Sequence, residues 1–231
     1  MTLAMKSNLV LLLRLQRKLT LSSQKGLTLV ESLAALVIAA VILSSIAFPI
    51  LLSAATRVQT RKTEQAQAIA IQELDRFRAK LTRDEKLDES QFPPESSTSP
   101  LSDTTAPTTL ISDRSNLDQV EKAFQVDIDN DGENDFFVQL IRDQGVCFNS
   151  GRYNRKLAVF KMGVRVYDIF AQSNLGSLKT EPASLQPTNG LSERTTHPLA
   201  ASYSILSRSD NQGSSRAYRQ YLSGNLNENC P

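Results

Sequence analysis

The sequence predicts an α+β protein, in which one long membrane-spanning amino-terminal helix carries its outer half packed on a small antiparallel β-sheet domain. Three observations point to it. Residues 27–55 are apolar apart from one charge, Glu31. From Arg57 to Leu81 there is no Gly or Pro, and apolar residues recur at helical spacing. From Gln119 onward, short runs rich in Phe, Val and Ile alternate with turn clusters.

The apolar run is 29 residues long, and a helix needs only ~20 apolar residues at ~1.5 Å each to cross bilayer hydrocarbon. It is too long for the core of a secretory signal, and no small-residue cleavage site closes it, so it reads as a retained membrane helix. Five basic residues and no acid precede it: Lys6, Arg14, Arg17, Lys18 and Lys25. They place the amino terminus in the cytoplasm and the carboxy-terminal part outside, with Arg57, Arg61 and Lys62 opposing weakly. A carboxylate inside such a span costs ~2.5–3.5 kcal/mol at the centre and less near the end, so Glu31 calls for a partner.

The stretch QKGLTLVESLAALVIAAVILSSIAFPILLSAA, residues 24–55, resembles the class III signal and first helix of type IV pilins and type II secretion pseudopilins. The resemblance makes Gly26 the last leader residue, Leu27 the new amino terminus and Glu31 the fifth mature residue. Thr28 and Leu29 fit the family's second and third positions, and Pro49 lies where such helices often carry a proline. One departure is Leu27, where the family most often has Phe. The resemblance implies cleavage and N-methylation by a prepilin peptidase. It also implies assembly with other pilin or pseudopilin subunits on an inner-membrane platform driven by a separate ATPase. Glu31 of one subunit would then pair with the Leu27 amine of the next, each cancelling a charge in a medium of low dielectric. The alternative is an ordinary single-pass anchor with Glu31 at headgroup level.

The domain order follows: residues 1–26 leader, 27–56 transmembrane helix, 57–87 amphipathic extension, 88–117 a Ser/Thr/Pro-rich loop and 118–231 a periplasmic β-rich domain. In the extension, Ala66, Ala70, Leu74, Phe77 and Leu81 form one stripe. Pro49 is expected to bend or loosen the helix. The 88–117 stretch predicts a flexible surface loop that buries little apolar surface. Strands are expected over 121–129, 135–143, 156–171 and 199–206, with a bulge or strand end near Asp168 and a short helix close to the carboxy terminus.

The segment DIDNDGENDFFV places Asp127, Asp129, Asp131 and Asp135 at loop positions 1, 3, 5 and 9, with Gly132 at 6 and the backbone carbonyl of Glu133 at 7. That spacing wraps oxygens round a hard cation and suggests structural Ca2+. Position 12 is Val138, so it is not an EF-hand; it is more similar to the short calcium hairpins of β-propeller and integrin-type repeats. The alternative is a metal-free Asx-rich turn. The two cysteines, Cys147 and Cys230, both lie in the exported part, where an oxidising compartment favours a disulfide between them over two free thiols.

Nothing suggests an enzyme. The one histidine, His197, sits beside a proline, and no phosphate loop, CxxC pair or HExxH occurs. The net charge of +2 conceals an acidic mature chain, 24 acids against 21 bases once the leader is set aside, so no nucleic-acid partner is expected. Beyond Leu81, KLAVFKMGVRVYDIFAQSNLGSLKTEPASLQ with VDIDNDGENDFFVQL upstream resembles the cyanobacterial pseudopilins of hormogonium polysaccharide secretion. That resemblance implies polysaccharide export for gliding motility from a single-pass inner-membrane subunit with a periplasmic domain. Two readings compete: a minor type IV pilus subunit for twitching or DNA uptake, and a membrane-tethered calcium-binding module that never polymerises.

Overall fold

The computed structural model describes residues 28–83, 91–149, 155–184, 193–208 and 212–224. The chain divides into two units, one up to Leu51 and one from Leu52 onward. Helix α1, Leu29–Thr82, runs through that boundary with Pro49 inside it.

In the first unit the apolar residues of α1 are exposed all round, as Leu36, Val37, Ile38 and Leu43 show with 57–70% of their surface free. A helix apolar on every side has lipid or other helices as its natural surroundings. Its hydroxyls are satisfied within the helix: Ser32 Oγ donates to Leu29 O at 2.9 Å, Ser44 Oγ to Ala40 O at 2.7 Å and Ser45 Oγ to Ile42 O at 2.8 Å. Hydrocarbon offers no other partner, so such back-bonding removes the cost of a bare hydroxyl.

The second unit is built on the outer half of α1 and a six-stranded sheet. Its strands are β1 (Thr109–Ile111), β2 (Lys122–Val126), β3 (Phe136–Arg142), β4 (Val146–Asn149), β5 (Arg155–Asp168) and β6 (Ala200–Ser207), followed by helix α2 (Gln212–Leu222). The 14-residue β5 is central: β3 and β4 pair with it along one edge and β6 along the other, all antiparallel. The expected wholly antiparallel sheet needs correction, because β1 pairs with β2 in parallel. At the β3–β4 turn Gly145 has φ 69°, and a Cβ there would come within 2.5 Å of Val159 O, so only glycine fits.

Ala66, Ala70, Leu74, Phe77 and Leu81 are all buried and join Phe136, Val138, Leu140, Phe160, Val164 and Val166 in the main core, as the stripe predicted. Two alanines at 0% exposure let the helix backbone approach the sheet closely. β5 ends at Asp168 and gives way to a 3-10 helix, Ile169–Asn174, which realises the expected strand end.

The opposite sheet face explains a second correction. Residues 91–117 do not lie loosely on the surface. Leu101 and Leu117 are buried, two 3-10 turns form, and β1 joins the sheet. The anchor is Arg165, wholly buried, which donates to Ser102 O at 2.7 Å, Thr104 O at 2.8 Å and Thr105 O at 3.4 Å. It also donates to Gln139 Oε1 at 3.1 Å and Tyr203 OH at 3.0 Å. The register sets Gln139 opposite Arg165 and Phe137 opposite Tyr167, whose rings stack 5.1 Å apart. Composition hid this because the acceptors are backbone carbonyls, which every residue has.

Candidate functional site

Gly26 and Leu27 lie outside the described residues, but the turn that follows them is defined. Thr28 precedes α1, and its Oγ1 accepts the Glu31 N–H at 3.3 Å while its carbonyl accepts the Ser32 N–H at 3.1 Å. Thr28 thus caps the helix and fixes Glu31 in the first turn, where the helix dipole favours a carboxylate. Thr-x-x-Glu is the capping-box spacing, a signal already present in the sequence. Glu31 is exposed on a surface that is otherwise uncharged and dominated by Leu, Val, Ile and Ala. An acid there with no ion pair among the described residues is suited to pair with a cation brought by another molecule.

The acidic loop connects β2 to β3. Carboxylate oxygens of Asp127, Asp129 and Asp135 lie within 4.8 Å of one another. Oxygens at ~2.4 Å from a shared Ca2+ can be no further apart than this, so the three fit one ion. Asp131 and Glu133 are not part of that group. The loop also closes on its own N–H groups. Asp127 accepts from Asn130 N at 2.8 Å and Gly132 N at 3.0 Å, Asp131 from Glu133 N at 2.8 Å, and Asp135 from Ile128 N at 3.1 Å. These donors offset part of the repulsion expected among clustered carboxylates. Asp129 shows the balance: the hydrogen bond from Asp131 N–H lowers its pKa, but desolvation and the charges of Asp131, Asp135 and Asp127 together raise it. Gly132, at φ 93°, and Asn130, at φ 57°, make the turn.

A cluster that the sequence did not reveal ties α1 to the sheet end. Asp168 is fully buried and accepts from Arg194 Nε at 2.8 Å and Nη2 at 2.5 Å, with Lys62 Nζ at 3.6 Å. Lys62 also lies 5.3 Å from the centroid of the exposed Phe170 ring. Asp168 lies within the strongest strand signal, but nothing in the sequence pairs it with residues 26 and 106 positions away. His197 binds its neighbour Thr196 through Nδ1 at 2.9 Å. Cys147 sits in β4 at 8% exposure, and Cys230 is outside the described residues.

An exposed apolar amino-terminal helix whose outer half packs on a mixed sheet defines a pilin-like, membrane-anchored architecture with a single candidate span among the described residues. The prokaryotic N-terminal methylation motif matches residues 21–47, a stretch that holds Gly26, Leu27 and Glu31. The match supports a type IV pilin-like subunit that prepilin peptidase processes and that assembles with other pilin subunits. No curated protein and no solved structure matches the chain.

Proposed function

We propose that the chain is a pseudopilin-type subunit, cut after Gly26 and N-methylated at Leu27, then built into a periplasmic filament by an ATPase-driven inner-membrane platform. The observation that carries this is Glu31, held by a capped first turn at the head of α1, whose inner half is otherwise uncharged and has its apolar side chains exposed. In the filament it pairs with the Leu27 amine of a neighbouring subunit. The domain beyond the span lies in the periplasm, where Cys147 and Cys230 pair and tie down the carboxy terminus. The cargo is a polysaccharide that supports gliding, and the role is structural, with no catalysis by this chain. Mass and amino-terminal sequence of the protein from membranes test the processing: a start at N-methyl-Leu27 supports it, and retention of residues 1–26 refutes it. Deleting the gene tests the cargo. Lost polysaccharide with pili intact supports the reading, whereas lost pili favour a pilus subunit for twitching or DNA uptake.

The convergence of Asp127, Asp129 and Asp135 favours a structural Ca2+ that would pin the β2–β3 connection. A tethered calcium module that never polymerises is the competing use of that loop. It predicts that Glu31→Ala leaves function intact while Asp129→Ala abolishes it; the subunit reading predicts that Glu31→Ala abolishes assembly.

A further inference from the structure

Between the outer half of α1 and the segments 91–93 and 113–117 lies a cavity of about 440 Å³. Small-molecule sites typically span ~300–1,000 Å³. Its floor is apolar: Phe77 and Leu140 belong to the main core, and Phe92 stands edge-on to Phe160 with centroids 5.7 Å apart. Its rim is cationic. Arg76 and Lys80, one helical turn apart, both line it, and Lys80 Nζ lies 5.3 Å from the Phe77 ring centroid. Neither has an acidic partner among the described residues, whereas the other lining cation, Arg114, pairs with Glu73. The buried Nε of Arg114 has no acceptor among the described residues. Asp113, the one acid in the lining among the described residues, is occupied by the Ser115 N–H at 2.9 Å, which holds its carboxyl below the usual range.

Two cations without an acidic partner among the described residues, beside an aromatic and aliphatic floor and with a carboxylate and a hydroxyl at the side, suit a ligand that is anionic at one edge, apolar on one face and rich in hydroxyls. We propose that this cavity binds a uronate unit of an acidic polysaccharide. Its carboxylate meets Arg76 and Lys80, its C–H face rests on Phe92, and its hydroxyls bind Asp113 and Ser115. The choice of a polymer over a free sugar acid rests on the export reading above; the chemistry of the cavity itself does not.

The test is affinity electrophoresis and calorimetry on the full chain in detergent, with polygalacturonate, neutral dextran, polyglutamate and free glucuronate as probes. Polygalacturonate is expected to retard the wild type, with dextran and polyglutamate inert and free glucuronate at least tenfold weaker. Arg76→Ala with Lys80→Ala is expected to weaken binding tenfold or more, and Phe92→Ala several-fold with the charge intact. Circular dichroism checks that each variant folds. Equal retardation by polyglutamate, or unchanged binding in the double variant, overturns the site. Glucuronate binding as tightly as the polymer overturns the polymer assignment. The amino terminus of the same preparation separates the two proposals: a chain starting at Leu27 that ignores uronates sinks this one alone. A chain that binds them with residues 1–26 still attached sinks the subunit reading alone.

Discussion

Replacing Arg165 by Met removes the clamp on the 101–105 segment while keeping a long side chain in place. Five contacts go at once: three backbone carbonyls, Gln139 Oε1 and Tyr203 OH. Hydrogen bonds to a charged donor contribute ~1.5–3 kcal/mol each, so a simple sum would by itself match the ~5–15 kcal/mol stability of a whole domain. The sum fails because the wild type also bears the cost of burying the guanidinium, several kcal/mol that the variant recovers. The net loss expected is ~3–5 kcal/mol, set by the ~1–3 kcal/mol for each buried acceptor left without a donor. Arg165→Lys keeps the charge but lacks the fork, and should fall between wild type and Met. Urea unfolding of the full chain in detergent measures it, followed by tyrosine fluorescence because the chain has no Trp. Limited proteolysis within 98–108 reports on the clamp itself. A loss under ~1 kcal/mol with unchanged cleavage would refute the reasoning, since it would leave the carbonyls no worse off without their donor.

Four further outcomes are expected. Glu31→Gln should be cut after Gly26 as efficiently as wild type yet fail to enter filaments, seen as processed protein confined to the membrane fraction. Gly132→Ala should cost ~1–2 kcal/mol, because φ 93° strains any residue with a Cβ. Millimolar Ca2+ should raise the melting temperature of the wild type and not of Asp129→Ala; equal shifts would remove the metal from the loop. Burial raises the Asp143 carboxyl above its ordinary 3.8, against the lowering by hydrogen bonds from Tyr221 and Lys161 N–H. Its contribution to stability is therefore complete below that value and is lost as pH rises through the higher folded one. Asp143→Asn should flatten stability against pH in that window.

Much of this architecture was legible because its signals are periodic and local. The α1 stripe at Ala66, Ala70, Leu74, Phe77 and Leu81 follows helical repeat, and the strands around Phe136–Arg142 and Ala200–Ser207 are short β-type runs bounded by turn residues. The short β1 and β4 escaped because three or four residues carry too little pattern. The parallel pairing of β1 escaped because it depends on a distant partner, and the ordering of 91–117 because its cement is one arginine binding backbone oxygens. At the candidate site, Glu31 and the acidic loop were visible as residue types at fixed spacing. The Asp168–Lys62–Arg194 cluster was not, because its members meet only after the sheet and α1 have come together.

The back-bonded serines of α1 bear on how such a helix changes its surroundings. A segment whose hydroxyls already point at its own carbonyls carries its solvation with it. Passing from a fluid bilayer to a bundle of neighbouring helices, it gives up no hydrogen bond and gains none at Ser32, Ser44 or Ser45. Both media are equally dry to those groups, so the transfer is nearly indifferent along most of its length. The direction of travel is then left to the single acid at its head, and extraction from the membrane becomes a decision made at one residue.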